Sequence, residues 1–255
     1  MAAMSTSFPI NRNVGCMALL ACFLVPVALS QTPEEFLHSL VGQKLILRHV
    51  ADKKETKVKK IDLASMNGMC DRAVQIREAA WRRGTARFKL EEIGTPGVAG
   101  SGNSCKGSYD EGTLEISKFE GNEPADSLAA SVSELLQTPE QYLAAKGVKF
   151  DLPPAPDDAP LSKSPPALIG PKLLLTVDPT FSDEARKSKY QGTVVLSVII
   201  GTDGRVHNPK IARSIGRGLD ENALRVITMW RFEPARQLDK AVATRSSIEV
   251  SYQLY

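Results

Sequence analysis

The sequence predicts an α+β fold in two units, and three observations predict it. Short alternating apolar stretches recur at strand spacing, two threonine-proline capping signatures open helices, and seven prolines crowd the 21 residues from Asp151 to Pro171. Such proline density disfavours regular hydrogen-bonded structure and favours extended polyproline II, a semi-rigid spacer. The 255-residue chain therefore reads as an N-terminal segment 1–30, a small β-rich α+β domain 31–150, a linker 151–171 and a C-terminal domain 172–255.

Residues 1–30 have the order of a secretory signal peptide. Arg12 precedes the uncharged run Val14 to Leu29, and Ala28 and Ser30 offer small residues before Gln31. The run is short of the roughly 20 residues that cross a bilayer comfortably. Export to the periplasm with cleavage is the reading; retention as an inner-membrane anchor and lipid attachment at Cys22 are its alternatives. With the segment removed, Cys70 and Cys105 remain; an oxidising compartment makes a disulfide between them the default, with two free thiols as the alternative.

The N-terminal domain opens at "QTPEEFLHSLVG", where Thr32 caps, Pro33 takes the first helical position, Glu35 reaches back and Gly42 closes the helix. The same pattern recurs at Thr138, Pro139 and Gln141, ending at Gly147, and Asp126 to Gln137 is also predicted helical. Between these helices, Lys44–Val50, Arg72–Trp81, Ala86–Ile93 and Gly112–Phe119 alternate as short strands. Lys44 to Lys89 holds 13 Lys and Arg against 5 Asp and Glu, either a solvated basic face or an anion-binding surface.

Several function classes are excluded by what the residues fail to assemble. The glycine-rich stretch "GTPGVAGSGNSCKGS" (Gly94 to Ser108) places Lys106 before Gly107, not after it, so it lacks the phosphate-loop ending and reads as a surface loop. His38, His49 and His207 are scattered without thiols at ligand spacing, so no metal site is expected. No nucleophile elbow, zinc-hydrolase helix or cofactor fingerprint appears, so neither an enzyme nor a cofactor is expected. A net charge of +3 is too small to predict nucleic-acid binding.

The C-terminal domain carries clearer periodicity. A short helix is expected at Ser182 to Lys189. "GTVVLSVIIG" then puts Val194, Leu196, Val198 and Ile200 on one strand face, and the turn at Thr202, Asp203 and Gly204 returns the chain along Arg205 to Ser214. Pro209 cannot donate to a ladder, which predicts either a bulge there or a backbone nitrogen that faces outward. Leu219, Ala223, Val226, Ile227 and Trp230 share a helix face, with Asp220 near its positive end and Pro234 ending it. In "MWRFEPA", Trp230 is expected to pack on the sheet, Phe232 to fix the exit of the chain, and Arg231 to point away. The last strand, Thr244 to Tyr255, alternates cleanly.

The run from Gly192 to Ala235, with its "DGRV" turn, "SIGRGLDENAL" and "WRFEPA" in that order, resembles the C-terminal domain of TonB-family energy transducers. The resemblance covers the C-terminal third of the chain; residues 31–150 have no counterpart in it. It implies a Gram-negative envelope protein whose C-terminal domain pairs with an extended segment of an outer-membrane TonB-dependent receptor or other envelope partner, serving transport. An inner-membrane motor complex is a further partner if the N-terminus is anchored. The last strand has no successor to cover it, so its edge is expected to accept a partner strand through Ser246, Ser247, Ile248, Glu249, Val250 and Ser251. The alternative is a scaffold that forms a homodimer through this edge and holds polyanionic envelope material on its basic N-terminal domain.

Overall fold

The computed structural model describes residues 32–48, 58–62, 70–99, 111–116, 125–149 and 168–253. The segment 1–30, Cys105 and most of the proline-rich linker lie outside them. Both expected capping boxes form. Thr32 Oγ1 accepts the Glu35 N–H at 3.3 Å while Glu35 accepts the Thr32 N–H at 2.9 Å, which opens α1 (Pro33–Leu40). Thr138 and Gln141 exchange the same pair of bonds at 3.2 and 2.9 Å.

After α1 come β1 (Lys44–Leu47), β2 (Val58–Asp62), β3 (Arg72–Arg82), β4 (Thr85–Val98) and β5 (Glu111–Ile116). They are followed by α2 (Ala125–Leu135), β6 (Leu136–Gln137) and the second capped helix, α3 (Pro139–Ala145). Beyond the linker lie β7 (Leu168–Ile169), β8 (Lys172–Pro179), α4 (Asp183–Lys187), β9 (Gly192–Ile200), β10 (Val206–Arg213) and α5 (Leu219–Ile227). Three short strands, β11 (Arg231–Glu233), β12 (Ala235–Gln237) and β13 (Lys240–Val242), lead into β14 (Thr244–Tyr252). The hydrophobic patterns locate the long elements. The expected elements do not include β2, β7, β8 or β11 to β13, and β6 takes the last two residues of the stretch expected to be helical; most of these strands owe their hydrogen bonds to neighbours far away in sequence.

Three antiparallel sheets result. The largest runs β11-β8-β4-β3-β1-β6, with β5 pairing both β4 and β2; the others run β10-β9-β14 and β13-β12-β7. The largest sheet crosses the expected division at 151–171, because β4 changes partner along its length. Thr85 to Gly94 pair with β3, and Gly94 to Val98 pair with Pro179 to Leu175 of β8. The described residues from Thr32 onward accordingly form one compact unit.

This pairing corrects the reading of the glycine-rich stretch as a surface loop at its start. Gly94, Thr95 and Pro96 are buried strand residues. A Cβ at Gly94 would overlap the Asp178 carbonyl oxygen and stand 2.7 Å from Val177 Cγ1, so only glycine admits β8 this closely. Pro96 is compatible with a strand because, beyond Gly94, β4 has β8 as a ladder partner and no longer pairs with β3.

Two hydrophobic clusters fill the unit. One lies within the N-terminal part, around Leu37, Leu47, Phe88 and Leu114. The other joins Ile46, Ile93 and Leu143 to Leu175, to Val194 and Leu196 of β9, and to the α5 residues Leu219, Ala223 and Val226. Polar contacts follow the same seam. Lys44 Nζ donates to the Arg225 carbonyl at the end of α5 at 2.7 Å, and Arg225 donates to Glu91 at 2.6 Å and Gln75 at 3.1 Å.

Candidate partner-binding edge

The three-stranded sheet has two edges of different character. On one side, β14 pairs with β9 over its whole length, from Thr244 opposite Ile200 to Tyr252 opposite Gly192, with no register shift. Among the described residues no strand pairs with its other side. The opposite edge, β10, is broken: the register shifts between His207 and Lys210 and again between Ile211 and Arg213. Asn208 takes φ +46 there and Pro209 supplies no N–H, so the bulge foreseen from Pro209 forms. A regular partner ladder fits β14 and not β10.

Side chains on β14 alternate as its sequence requires. Thr244, Ile248, Val250 and Tyr252 are buried, Ser246 is half-buried, and Arg245, Ser247, Glu249 and Ser251 are exposed. The six residues expected to meet a partner strand, Ser246 to Ser251, therefore lie in the middle of an unbulged edge strand.

Fixed contacts beneath the strand hold this edge in place. The Tyr252 hydroxyl donates to the Leu219 carbonyl at 2.7 Å, and Phe181 packs edge-on against the Tyr252 ring at 5.3 Å. Burial, with the Asp220 and Glu221 carboxylates nearby, pushes the Tyr252 phenol up, so it stays a donor. Leu219 is fully buried at the start of α5. Asp220, expected only to complement the helix dipole, is itself buried and accepts the Ile215 and Gly216 N–H groups at 3.0 Å each, and the Ser214 hydroxyl. Burial pushes its pKa up, but these three donors outweigh burial and hold it below the ordinary carboxylate value.

The other residues carried by the family-like motif are structural in the same sense. In the β9–β10 turn, Gly204 takes φ +67 and Asp203 accepts the Arg205 N–H at 3.0 Å and lies 3.0 Å from His207 Nε2. Trp230 is buried on the sheet and donates Nε1–H to the Val177 carbonyl at 3.1 Å. Phe232 packs beside it at 6.3 Å, and the buried Pro234 follows.

Arg231 departs from expectation. It does not point away but is 6 % exposed, donating to Glu140 at 2.8 Å and to the Thr228 and Trp230 carbonyls at 2.9 Å. Glu140, on α3, also pairs with Arg205 at 2.8 Å. Burial pushes the Glu140 carboxyl up, but the two guanidinium groups outweigh it and hold it low. Sequence reading missed this cluster because Glu140 lies 91 positions from Arg231.

The basic excess expected between Lys44 and Lys89 is partly neutralised by cross-strand partners. Arg72 pairs with Glu92 at 3.2 Å in a buried contact, Lys89 with Glu78 at 2.7 Å, and Arg77 with Glu91. Among the described residues no group of three or more His, Cys, Asp or Glu is placed to hold a metal ion, and no helix is long and apolar enough to cross a membrane. Cys70 immediately precedes the Asp71–β3 segment, and its expected partner Cys105 is outside the described residues.

The architecture defines a class: a helix backing a small antiparallel sheet whose last strand, among the described residues, has one neighbour only. Residues 177–254 match the family described as Gram-negative bacterial TonB protein C-terminal. Those residues therefore form a C-terminal TonB domain. Neither a curated protein nor a solved structure gives a significant match.

Proposed function

We propose that the C-terminal domain binds an outer-membrane transporter or another envelope protein by β-strand addition at β14. The observation that carries this reading is the long unbulged edge, set against the bulged edge at β10. An extended segment laid along Ser246 to Ser251 satisfies backbone groups that otherwise face water, and the alternating side chains decide which segment fits. The domain holds a partner and catalyses no reaction. Export through residues 1–30 to the periplasm, and a Cys70–Cys105 disulfide formed there, complete the reading. Energy transduction requires in addition that residues 1–30 be retained and engage a motor complex in the inner membrane.

The test is recovery of outer-membrane proteins on the exported chain, with and without Glu249→Pro. Glu249 is exposed, so its replacement is directed at the edge and not at the core. Recovery is expected to drop at least about tenfold while the circular dichroism spectrum is unchanged; recovery equal to wild type refutes strand addition. The mass of the exported protein decides between cleavage before Gln31 and retention. A Glu249→Pro-sensitive dimer with no envelope protein bound would replace the heterologous partner by a second copy.

A further inference from the structure

The basic excess of the N-terminal part is not spread evenly. Between Ala79 and Leu90 the chain holds Arg82, Arg83, Arg87 and Lys89 and no acid. Lys89 is paired with Glu78, and the three arginines lie nearer the end of the β3–β4 hairpin. Arg82 stands opposite Thr85 and Ala80 opposite Arg87, which makes Arg82 and Arg87 diagonal neighbours on one face, about 7–8 Å apart. Arg83 is in the turn itself. All three are exposed, and among the described residues no carboxylate pairs with Arg82 or Arg83. Arg87 is in register with Glu115 of β5, which is in register with Lys60 of β2, so that row adds one acid and one further cation.

The turn is built against the preference of its first residue. Arg83 has φ +48 and Gly84 φ +70, the two left-handed positions of a two-residue hairpin that favours Asn-Gly. An exposed arginine there adds no core packing to offset the backbone cost, and it crowds positive charge beside Arg82. Trp81, on the other face of β3, packs half-buried against the cluster around Leu37 and Phe88. An apolar ring thus stands one residue from the tip cations.

We infer that the β3–β4 tip docks on an anionic phospholipid surface, with Arg82, Arg83 and Arg87 at the headgroup phosphates and Trp81 at headgroup level. A hairpin end is convex, so it meets a surface and does not enclose a small anion. Guanidinium forks take phosphate oxygens in pairs, and tryptophan rings favour the boundary between water and lipid. For a chain exported to the envelope, the phosphate-rich surface at hand is a membrane. The site is separate from β14 and does not depend on strand addition there. Each arginine near such a surface raises partition about fivefold, and the three together about a hundredfold.

The test is flotation of the chain from Gln31 onward, which contains the whole compact unit, with vesicles of mixed phosphatidylglycerol and phosphatidylcholine at physiological salt. Vesicles of phosphatidylcholine alone are the comparison, and binding to them is expected to be about a hundredfold weaker. Arg83→Asn installs the Asn-Gly turn, so the melting temperature is expected to hold or rise while binding to the anionic vesicles weakens about fivefold. Adding Arg82→Gln should bring the loss to about twenty-five-fold. Lys240→Gln removes an exposed cation from β13 and is expected to leave binding unchanged. Equal binding to both kinds of vesicle overturns the inference. Equal losses from Lys240→Gln and Arg83→Asn overturn it as well, because they trace binding to net charge and not to the tip. Displacement from the vesicles by millimolar inorganic phosphate would assign the arginines to free phosphate and remove the membrane surface as their ligand.

Discussion

Among single residues, the groups that matter most are charges taken out of water and fully paired. Asp220 is 6 % exposed and accepts three hydrogen bonds that close the loop before α5. Its folded pKa lies below the ordinary 3.8, so its contribution is fully present above about pH 4 and is lost as pH falls through the depressed value. Asp220→Asn, which turns one acceptor into a donor facing N–H groups, is expected to cost about 1–3 kcal/mol at pH 7. Urea titration at pH 7 and at pH 3 checks it, since the gap between variant and wild type should narrow in acid. The Glu140 carboxyl, held low by Arg231 and Arg205, adds to acid lability in the same direction. Glu140→Gln leaves the Arg231 charge buried. The expected loss is about 2–3 kcal/mol, below that of a fully buried pair because the Glu140 side chain is 23 % exposed. Combining Glu140→Gln with Arg231→Met should recover part of that loss, as a chemical-denaturation double-mutant cycle would show.

Among the secondary-structure elements, the turn between β12 and β13 carries an unfavourable residue. Leu238 and Asp239 both have positive φ, +48 and +62, the geometry of a two-residue hairpin that favours Asn and Gly. Leu238 is 79 % exposed, so its side chain contributes little packing to offset the backbone cost. Leu238→Asn is expected to stabilise the protein by about 1 kcal/mol, read as a rise in melting temperature without loss of partner recovery. The contrast between β10 and β14 belongs to this level as well. Pro209 and the positive φ of Asn208 spoil one edge for pairing, while the regular ladder of β14 keeps the other competent.

Across the fold as a whole, β4 and β8 join the N-terminal part to the TonB domain in one sheet. Lys44, Glu91 and Glu140 reinforce that seam through α5 and β11. The sheet that holds β14 is joined to the N-terminal part through the buried cluster that Ile46, Ile93, Val194, Val250 and Tyr252 share. A single cooperative unfolding transition is expected, with near-UV and far-UV signals coincident. Gly94→Ala drives a methyl group into the Asp178 carbonyl and should separate β4 from β8. The expected cost is about 1–3 kcal/mol, and the two probes should then diverge in the denaturant titration.

Short-range sequence was enough to specify the capped helices at Thr32 and Thr138, the hairpin at Asp203 and Gly204, the bulge at Pro209 and the alternating strand that ends the chain. Each depends on residues within a few positions of one another, where capping bonds, turn dihedrals and side-chain period act directly. Alternation marks that strand, while its unpaired side follows from the sheet order, in which β14 has β9 as its one neighbour among the described residues. Three-dimensional packing was needed to make Gly94 to Val98 a strand buried at its start and to pair Arg231 with Glu140. Those features join residues that lie tens of positions apart. No local period encodes such contacts, and glycine, proline and arginine each read as surface residues until a distant partner is brought against them.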